Sequence, residues 1–545
     1  LQMSSYSAQL REEQQAVSRA YGRLDDLRAQ ARARLDTVRA AGSHGSPTQR
    51  TERDSFATMY EDRLTQLRAV EDRLVFGRLD DVHGAHRYIG RIGLSDEDHE
   101  PILTDWRADA ARPFYEATPS NHGDIVMRRH ITLSFREVVG VEDEVLDVHS
   151  DQVGEASSNG TLTGEGALLA SLSSRRTGKM TDIVATIQGE QDRIIRADLN
   201  QAVVVQGGPG TGKTAVALHR AAYLLYTHRR ALQRSGVLVV GPSSTFLHYI
   251  DQVLPSLGET GVVSRTIADL IPGIIATAHD DPYAAKLKGE RRMAKAIANA
   301  VAARERMPSH LPVIRINGFN VPMVRADIEQ AIADAKRTRQ PHNKARETFV
   351  RDMLSAMRNR YVERLDYEPE QAELNDVMQQ LRMNDDLRKT LNLAWLPMTG
   401  EWLVDQLFAK PQQLRRFAPW LEERDIKTLT RPKGSPFTVS DVPLLDEAME
   451  LLGPDPKAVA RQKALDAKRA KDTLAQAGIG SGIVTSQMLV DNINGMDAEL
   501  TAQRAAADRE WTYGHIVVDE AQELTAMDWR MLIRRCPSRS FTIVG

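Results

Sequence analysis

A strand, a glycine-rich loop and a helix follow one another in AVVVQGGPGTGKTAVALHRAAYLL (residues 202–225), and this stretch constrains the fold more than any other feature of the sequence. The apolar run Ala202–Val205 is typical of a buried strand, and the residues after Thr214 favour a helix. Glycines let such a turn point its backbone N–H groups inward around an anion, and the following helix N-terminus adds a favourable field. The pattern Gly-x4-Gly-Lys-Thr therefore predicts the phosphate-binding loop of an α/β nucleotide-binding domain.

The loop residues are expected to bind ATP and Mg²⁺. Lys213 is expected to meet the β- and γ-phosphates, and the hydroxyl of Thr214 is expected to bind the metal ion. The predicted nucleotide-binding residues of the loop are Gly207, Gly208, Pro209, Gly210, Thr211, Gly212, Lys213 and Thr214. A glycine-rich turn that binds nothing is the alternative, but the strand before the loop and the helix after it both favour the phosphate site.

A second apolar strand supplies acidic residues for the same site in HIVVDEAQ (residues 515–522). Asp519 is the predicted carboxylate on the metal side, and Glu520 is the predicted general base that polarises the attacking water. Gln522 is expected to sense the γ-phosphate. Adjacent acids are also common on exposed helices, so the assignment depends on the apolar strand before them and on the phosphate loop.

Length, charge and cysteine content narrow the class of protein. A chain of 545 residues is long enough for about three to four domains. The net charge of −3 gives no general reason to expect a polyanionic partner, so any nucleic-acid surface is expected to be local. The single cysteine, Cys536, excludes a disulfide framework, and no apolar run approaches a membrane span. We therefore expect a cytoplasmic protein without a membrane partner.

The N-terminal region has the pattern of an antiparallel coiled-coil hairpin. Apolar residues recur every seven positions from Leu10 to Val38, AGSHGSP (residues 41–47) interrupts them, and the pattern resumes through Leu74. Each helix of about 35 residues would reach on the order of 50 Å. Two arrangements remain open: the hairpin projects from the body, or it lies flat on it. Short runs bounded by turn residues then predict a small β-rich piece.

These patterns divide the chain into segments. A large, mainly helical insertion is expected between the phosphate loop and its acidic residues, because several runs there carry a 3.6-residue period. Within it, AGIGSGIVTSQMLVDNINGMDAELTAQ has no sustained period and is expected to be a long functional or mobile loop. The predicted segments are the hairpin 1–83, a β-rich segment 84–150, a linker 151–180, the first part of a RecA-like domain 181–268, the insertion 269–510 with its loop 473–510, and the second part of the RecA-like domain 511–545.

The nucleotide motifs resemble those of superfamily 1 helicases, the group that includes UvrD, PcrA and Rep. IQGEQDRII resembles their adenine-recognition motif, which implies that Gln191 contacts the base; a helix N-terminus with surface amides is the alternative. FTIVG (residues 541–545) resembles the start of the family's Gly-Asp-x-x-Gln motif. The resemblance implies that the second RecA-like domain is missing from this chain, and hydrolysis by the chain alone is then expected to be poor.

In this chain a heptad hairpin is followed by DWRADAARPFY, by the phosphate loop in GGPGTGKTAVALHRAAYLLY and later by DVPLLDEA (residues 441–448). Together these segments resemble the HelD family of helicase-like ATPases. The resemblance implies binding to core bacterial RNA polymerase, at its channels and clamp region, and ATP-dependent release of nucleic acid. The acids of loop 473–510 would then approach basic walls or catalytic Mg²⁺ in the main channel; a mobile surface loop is the alternative. A superfamily 1 translocase that acts directly on DNA remains the other functional hypothesis, and a scaffold without ATPase activity is disfavoured by the intact motifs.

Overall fold

The computed structural model describes residues 2–40, 47–71, 73–147, 187–208, 210–248, 250, 262–454, 505 and 508–545. They group into two compact units. The first unit is drawn from residues 1–266, 492–523 and 533–545, and the second from residues 267–491 and 524–532. The first unit is therefore formed by three separate stretches of the chain, and the second by two.

Two N-terminal helices pack against each other in opposite directions. They are α1 (Gln2–Ala40) and α2 (Pro47–Ala69). Arg28 of α1 donates to the carbonyl oxygen of Leu67 at 3.2 Å, whereas Arg39, further along α1, meets Glu61, earlier in α2, at 2.6 Å. The partners thus run in opposite directions along the two helices. The buried side chains at the seven-residue spacing of α1 are Val17, Leu24 and Ala31.

The base of this helix pair packs on a six-stranded sheet. Its strands are β1 (Val75–Asp81), β2 (His86–Gly90), β3 (Leu94–Ser95), β4 (Pro101–Asp105), β5 (Ile125–Ser134) and β6 (Glu137–Val145). Their order is β3-β4-β2-β1-β5-β6, and neighbours are antiparallel except for β2 and β4. A hydrophobic cluster that includes Val17, Leu24, Ile131 and Val141 joins α1 to the sheet. The first half of the hairpin is therefore anchored, rather than free.

A buried group of charges completes this anchor. Glu13 of α1 is fully buried, and its Oε1 accepts hydrogen bonds from Arg78 and, at 2.7 Å, from Arg129. Arg78 also donates to both carboxylate oxygens of Asp80 at 2.8 Å, and Arg129 donates to both oxygens of Asp143 at 2.6 and 2.7 Å. Each buried guanidinium group therefore has at least two carboxylate partners, as burial of charge requires.

Two features of this region differ from the sequence prediction. β1 begins at Val75, inside the segment 1–83 that was predicted for the hairpin. The run ILTDWRADAARPFYEATP (residues 102–119) belongs to the predicted β-rich segment and begins in β4, but it continues into a 3-10 turn at Asp109–Ala111 and the short helix α3 (Pro113–Glu116). Pro113 explains the difference, because proline lacks the N–H that a strand ladder needs and favours the first turn of a helix.

A five-stranded parallel sheet forms the rest of the first unit. Its strands are β7 (Ala202–Val205), β8 (Val237–Val240), β9 (Val262–Arg265), β14 (His515–Val518) and β15 (Phe541–Val544), in the order β7-β15-β14-β8-β9. The associated helices are α4 (Gly189–Ile195), α5 (Lys213–Thr227) and α6 (Arg229–Ser235). One continuous hydrophobic cluster contains Trp106 and Phe114 of the N-terminal region together with Leu224 and Val517 of the parallel-sheet domain. The two sheets therefore share a core.

The second unit is mainly helical. Its helices are α7 (Pro282–Lys288), α8 (Met293–Ala302), α9 (Arg325–Arg337), α10 (His342–Val362), α11 (Gln371–Met383), α12 (Asp385–Ala394), α13 (Gly400–Ala409), α14 (Pro411–Phe417), α15 (Glu423–Leu429), α16 (Val442–Leu452) and the first turns of α17 (Ala526–Arg535). Short strands accompany them: β10 (Ala276–Ala278) pairs with β13 (Phe437–Thr438), and β11 (Val313–Ile316) pairs with β12 (Phe319–Pro322). Trp395 is buried between stacked His342 and Phe349, as expected for a core residue.

Three parts of the sequence prediction lie outside the described residues: the linker 151–180, the loop 473–510 apart from residues 505 and 508–510, and Pro209 of the phosphate loop. Across the residues that are described, no helix is both long and apolar enough to cross a lipid bilayer.

Candidate nucleotide-binding site

The loop between β7 and α5 has the backbone shape that its glycines predict. Gly210 and Gly212 have φ angles of 77° and 83°, in the left-handed region where a Cβ atom is costly. Lys213 begins α5, and its Nζ donates to the carbonyl oxygens of Gly207 at 2.7 Å and Gly208 at 3.0 Å. The ammonium group therefore lies over the loop that precedes it.

Thr214 and Asp519 meet at this loop, although 305 residues separate them in sequence. The hydroxyl of Thr214 donates to Oδ2 of Asp519 at 2.7 Å. Asp519 follows β14, and only 5% of it is exposed. Burial raises the pKa of this carboxyl group, and the hydrogen bond from Thr214 opposes the rise. A cation that met the carboxylate here would relieve its desolvation.

Glu520 has an unusual backbone conformation beside this pair. Its φ angle is 50°, which is rare for a residue with a side chain and is often found at functional sites. Its N–H donates to Oδ1 of Asp519 at 3.0 Å, and its Oε2 accepts a hydrogen bond from Nε2 of Gln522. The three polar residues of the acidic segment are therefore linked to one another.

Gln191 lies next to the phosphate loop. It is the third residue of α4, and its Oε1 accepts a hydrogen bond from the N–H of Gln188 at 3.1 Å, which closes a capping box. Its Nε2 lies 3.8 Å from the position that a Cβ atom would take on Gly212. The N-terminus of α4 thus holds the predicted base-recognition residue beside the predicted phosphate-binding residues.

Arg220 is a buried residue of this site that sequence reasoning missed. It lies on α5, is fully buried, and donates to main-chain oxygens at and just after the end of α4, including those of Ile195 at 3.1 Å and Asp198 at 2.7 Å. Its Nε donates to Oγ1 of Thr542 on β15 at 3.1 Å. Burial lowers the pKa of Arg220 to about 10. One guanidinium group therefore ties together α4, the phosphate-loop helix and β15.

The N-terminal region contacts the same two helices. Arg196, which follows α4, donates to the carbonyl oxygen of Trp106 at 2.9 Å and to that of Arg107 at 3.2 Å. The Trp106 ring packs edge-on against His219 of α5, with ring centroids 5.6 Å apart. Sequence reasoning also missed these residues. The His-Arg pair inside the apolar run AVALHRAAYLL was the one signal available for His219 and Arg220, since a charged residue within such a run needs buried partners.

The structure places the described candidate residues in one region. Lys213, Thr214, Asp519, Glu520 and Gln522 are connected by the loop and the hydrogen bonds given above, and Gln191 borders the loop. The oxygen atoms of Thr214 and Asp519 are hard ligands of the kind that Mg²⁺ prefers, and their 2.7 Å contact puts both donors at one point. The residues present therefore fit a phosphate-bound magnesium ion.

Comparison with known families gives two matches. The model described as "DNA helicase IV HelD, N-terminal domain" matches residues 10–157, and the model described as "AAA domain" matches residues 191–545. A comparison with curated proteins found no match. The first matched region contains the helix pair and the six-stranded sheet, and the second contains the phosphate loop, the acidic segment and the helical unit. The chain therefore belongs to the HelD-like family of helicase-type proteins with a P-loop domain.

Proposed function

We propose that this protein is an ATPase that binds bacterial RNA polymerase, releases nucleic acid from it and so recycles the enzyme. One observation carries the proposal: the N-terminal region packs on the two helices that border the nucleotide site. Trp106 contacts α5, and Arg196 beside α4 donates to the main chain at Trp106 and Arg107. A displacement of α4 or α5 at the nucleotide site would thus move the N-terminal region that carries the hairpin.

The chemistry assigned to the site is hydrolysis of ATP. Lys213 would balance charge on the β- and γ-phosphates, and Thr214 and Asp519 would hold Mg²⁺. The bound metal ion would supply further charge neutralisation between the phosphate oxygens. Glu520 would accept a proton from the attacking water, and Gln522, which already donates to Glu520, would link that base to the γ-phosphate.

The hairpin is the part assigned to the polymerase. Its base is fixed to the sheet through Glu13 and the apolar cluster around Val17 and Leu24, so a displacement of the sheet would be carried to the distal part of the helices. We assign this distal part to the polymerase channels and the loop 473–510 to the clamp region or main channel. The action would take place in the cytoplasm, where polymerase and ATP are both present.

The test is co-migration with core RNA polymerase on size exclusion, without DNA and at two salt concentrations. A complex that survives the higher salt concentration supports the proposal. Absence of a complex at both concentrations would refute it. Deletion of the whole helix pair, residues 10–74, would be a poor variant, because it would remove α1 from the core that it shares with the sheet. Replacing residues 32–63 with a short Gly-Ser turn keeps the anchored base and removes only the distal part.

Lys213→Ala separates nucleotide use from docking. Loss of the ammonium group should abolish ATP-dependent release of nucleic acid and leave polymerase affinity within a few-fold, because Lys213 lies at the phosphate loop and not on the hairpin. The variant without residues 32–63 should show the reverse, with weakened docking and intact nucleotide binding. Equal loss of both properties in both variants would contradict the assignment of nucleotide use to the phosphate loop and of polymerase docking to the hairpin.

A DNA translocase is the second candidate function, and the family description "DNA helicase IV" favours it. Such a protein would bind single-stranded DNA in the absence of polymerase, with an affinity that falls steeply with salt because several phosphates are neutralised. Salt-sensitive DNA binding together with failure to bind polymerase would decide for this alternative.

A further inference from the structure

A small cavity lies within the first unit, where α2, the end of β4 and the end of α5 come together. Its volume is about 240 Å³. The polar residues that line it are Arg63, Gln66, Asp105, Arg107, Tyr226 and Arg229. Three of these six side chains are arginines and only one is acidic. The cavity therefore has an excess of positive charge for its size.

The one acidic residue is already matched. Asp105 is buried, and its two carboxylate oxygens accept hydrogen bonds from Nε and Nη2 of Arg107 at 2.8 and 2.7 Å. The Arg107 guanidinium group also lies over the ring of Tyr226, 4.6 Å from its centroid. This pair forms a neutral, fixed wall of the cavity, and its carboxylate is not available to a further arginine.

Arg63 and Arg229 supply the unbalanced charge. In the part of the chain that the structure describes, no carboxylate lies within ion-pair distance of either side chain; Arg63 donates only a long hydrogen bond, 3.4 Å, to Gln66. Arg63 is exposed by surface area, and desolvation of its guanidinium group by the surrounding atoms, followed by the charge of Arg229, lowers its pKa. Both cations therefore line the same cavity, and no carboxylate among the described residues forms an ion pair with either of them.

Several other arginines of the same unit have carboxylate partners: Arg28 pairs with Glu71, Arg128 with Glu144, and Arg136 with Asp25 and Glu71. Asp62, next to Arg63 along α2, is not among the residues that line the cavity. Two like charges held at one cavity are expected to need an external anion.

We propose that this cavity binds a small oxyanion of the phosphate class between Arg63 of α2 and Arg229 of α6. Guanidinium groups match phosphate oxygens in geometry and charge, and Gln66 and the hydroxyl of Tyr226 line the same space as neutral hydrogen-bonding groups. A phosphate or pyrophosphate ion with a few waters fits within the cavity. The proposal concerns a site separate from the phosphate loop and does not rest on the proposed function.

The position of the site gives the ion a structural consequence. α5 begins at Lys213 of the phosphate loop and ends at Thr227, just after Tyr226, so its 15 residues span about 22 Å between the two sites. An anion at Arg63 and Arg229 would join α2 of the hairpin to the start of α6, which follows directly after the helix that begins at the nucleotide site.

The test is isothermal titration calorimetry with inorganic phosphate and with pyrophosphate, in chloride buffer at fixed ionic strength. The protein carries Lys213→Ala throughout, so that the phosphate loop does not contribute. We expect saturable binding of at least one of the two ions. Adding Arg63→Gln and Arg229→Gln together should weaken the affinity for the bound ion by about tenfold or more for each arginine removed. Contacts between such ions and guanidinium groups are charge-assisted hydrogen bonds.

The matched control is Arg68→Gln with Arg230→Gln. These two exposed arginines lie close to Arg63 and Arg229 in sequence but do not line the cavity, and their removal changes the net charge equally. Affinity should therefore be unchanged in the control. Absence of binding of both ions at about 10 mM would overturn the proposal, as would equal weakening in the two double variants. The single variant Arg229→Gln changes one exposed side chain only, so it keeps the test decisive if the double variant misfolds.

Discussion

Removal of the Glu13 carboxylate should detach the base of the hairpin from the sheet. Glu13 is fully buried and accepts hydrogen bonds from both Arg78 and Arg129. Breaking a buried ion pair by removing one partner costs about 3–5 kcal/mol. Arg78 and Arg129 keep their bidentate partners in the sheet, so we expect the lower end, about 3 kcal/mol, for Glu13→Ala. Glu13→Gln keeps one acceptor oxygen and should cost about 1–2 kcal/mol.

The assay is urea and thermal unfolding with a probe in the N-terminal region, residues 10–157. For a cooperative unit of this size, about 3 kcal/mol corresponds to a fall in Tm of about 10 °C. The matched control is Glu12→Ala, because Glu12 also approaches Arg78, at 3.4 Å, but is 59% exposed. It should cost less than about 0.5 kcal/mol. Equal costs for Glu12→Ala and Glu13→Ala would refute the view that a buried ion pair fixes the hairpin.

Three other perturbations address the site and the core. Glu520→Gln should slow ATP hydrolysis by about 10²- to 10⁴-fold, measured by phosphate release, and should leave nucleotide affinity within a few-fold, measured by equilibrium binding. Undiminished hydrolysis would exclude Glu520 as the general base. Arg220→Met removes the donors that join α4, α5 and β15, so it should cost about 2–4 kcal/mol in unfolding free energy and weaken nucleotide binding; wild-type values for both would contradict this assignment. Burial, reinforced by the charge of Arg128, lowers the pKa of His130 from its ordinary value of about 6.5 to about 4. The unfolded chain therefore binds a proton first, so the stability contributed by neutral His130 is complete above pH 6.5 and is lost as the pH falls towards 4. His130→Leu should flatten this decline in a series of urea melts, and an unchanged decline would show that other groups cause it.

Local sequence patterns were sufficient to predict those parts of the site whose shape depends only on neighbouring residues. The phosphate loop needs glycine wherever φ is positive, as at Gly210 and Gly212, so its motif is visible in the sequence. Asp519 follows a strand of four buried residues, which appears as an apolar run before the acid. The roles assigned to these residues, and the segment boundaries, stay predictions.

Long-range contacts were not predictable in the same way. The order β7-β15-β14 places a strand between the phosphate-loop strand and the acidic strand, and nothing local to either strand specifies that neighbour. Glu13 lies in a highly charged helix, where composition predicts a solvent-exposed side chain, and its burial follows from Arg78 and Arg129 far along the chain. The burial of Arg220 likewise depends on hydrogen bonds to main-chain carbonyl groups, which the periodicity of the sequence does not indicate.

The long excursion between β9 and β14 has a consequence for how the protein is made. Thr214 leaves the ribosome 305 residues before Asp519, which is about 15–60 s at ordinary rates of synthesis. Throughout that interval β7 and β8 lack β15 and β14, the strands that join them in the finished sheet. The second unit is nearly complete in sequence before those strands are made, so it can fold first. The parallel sheet, and with it the nucleotide site, is therefore among the last parts to form.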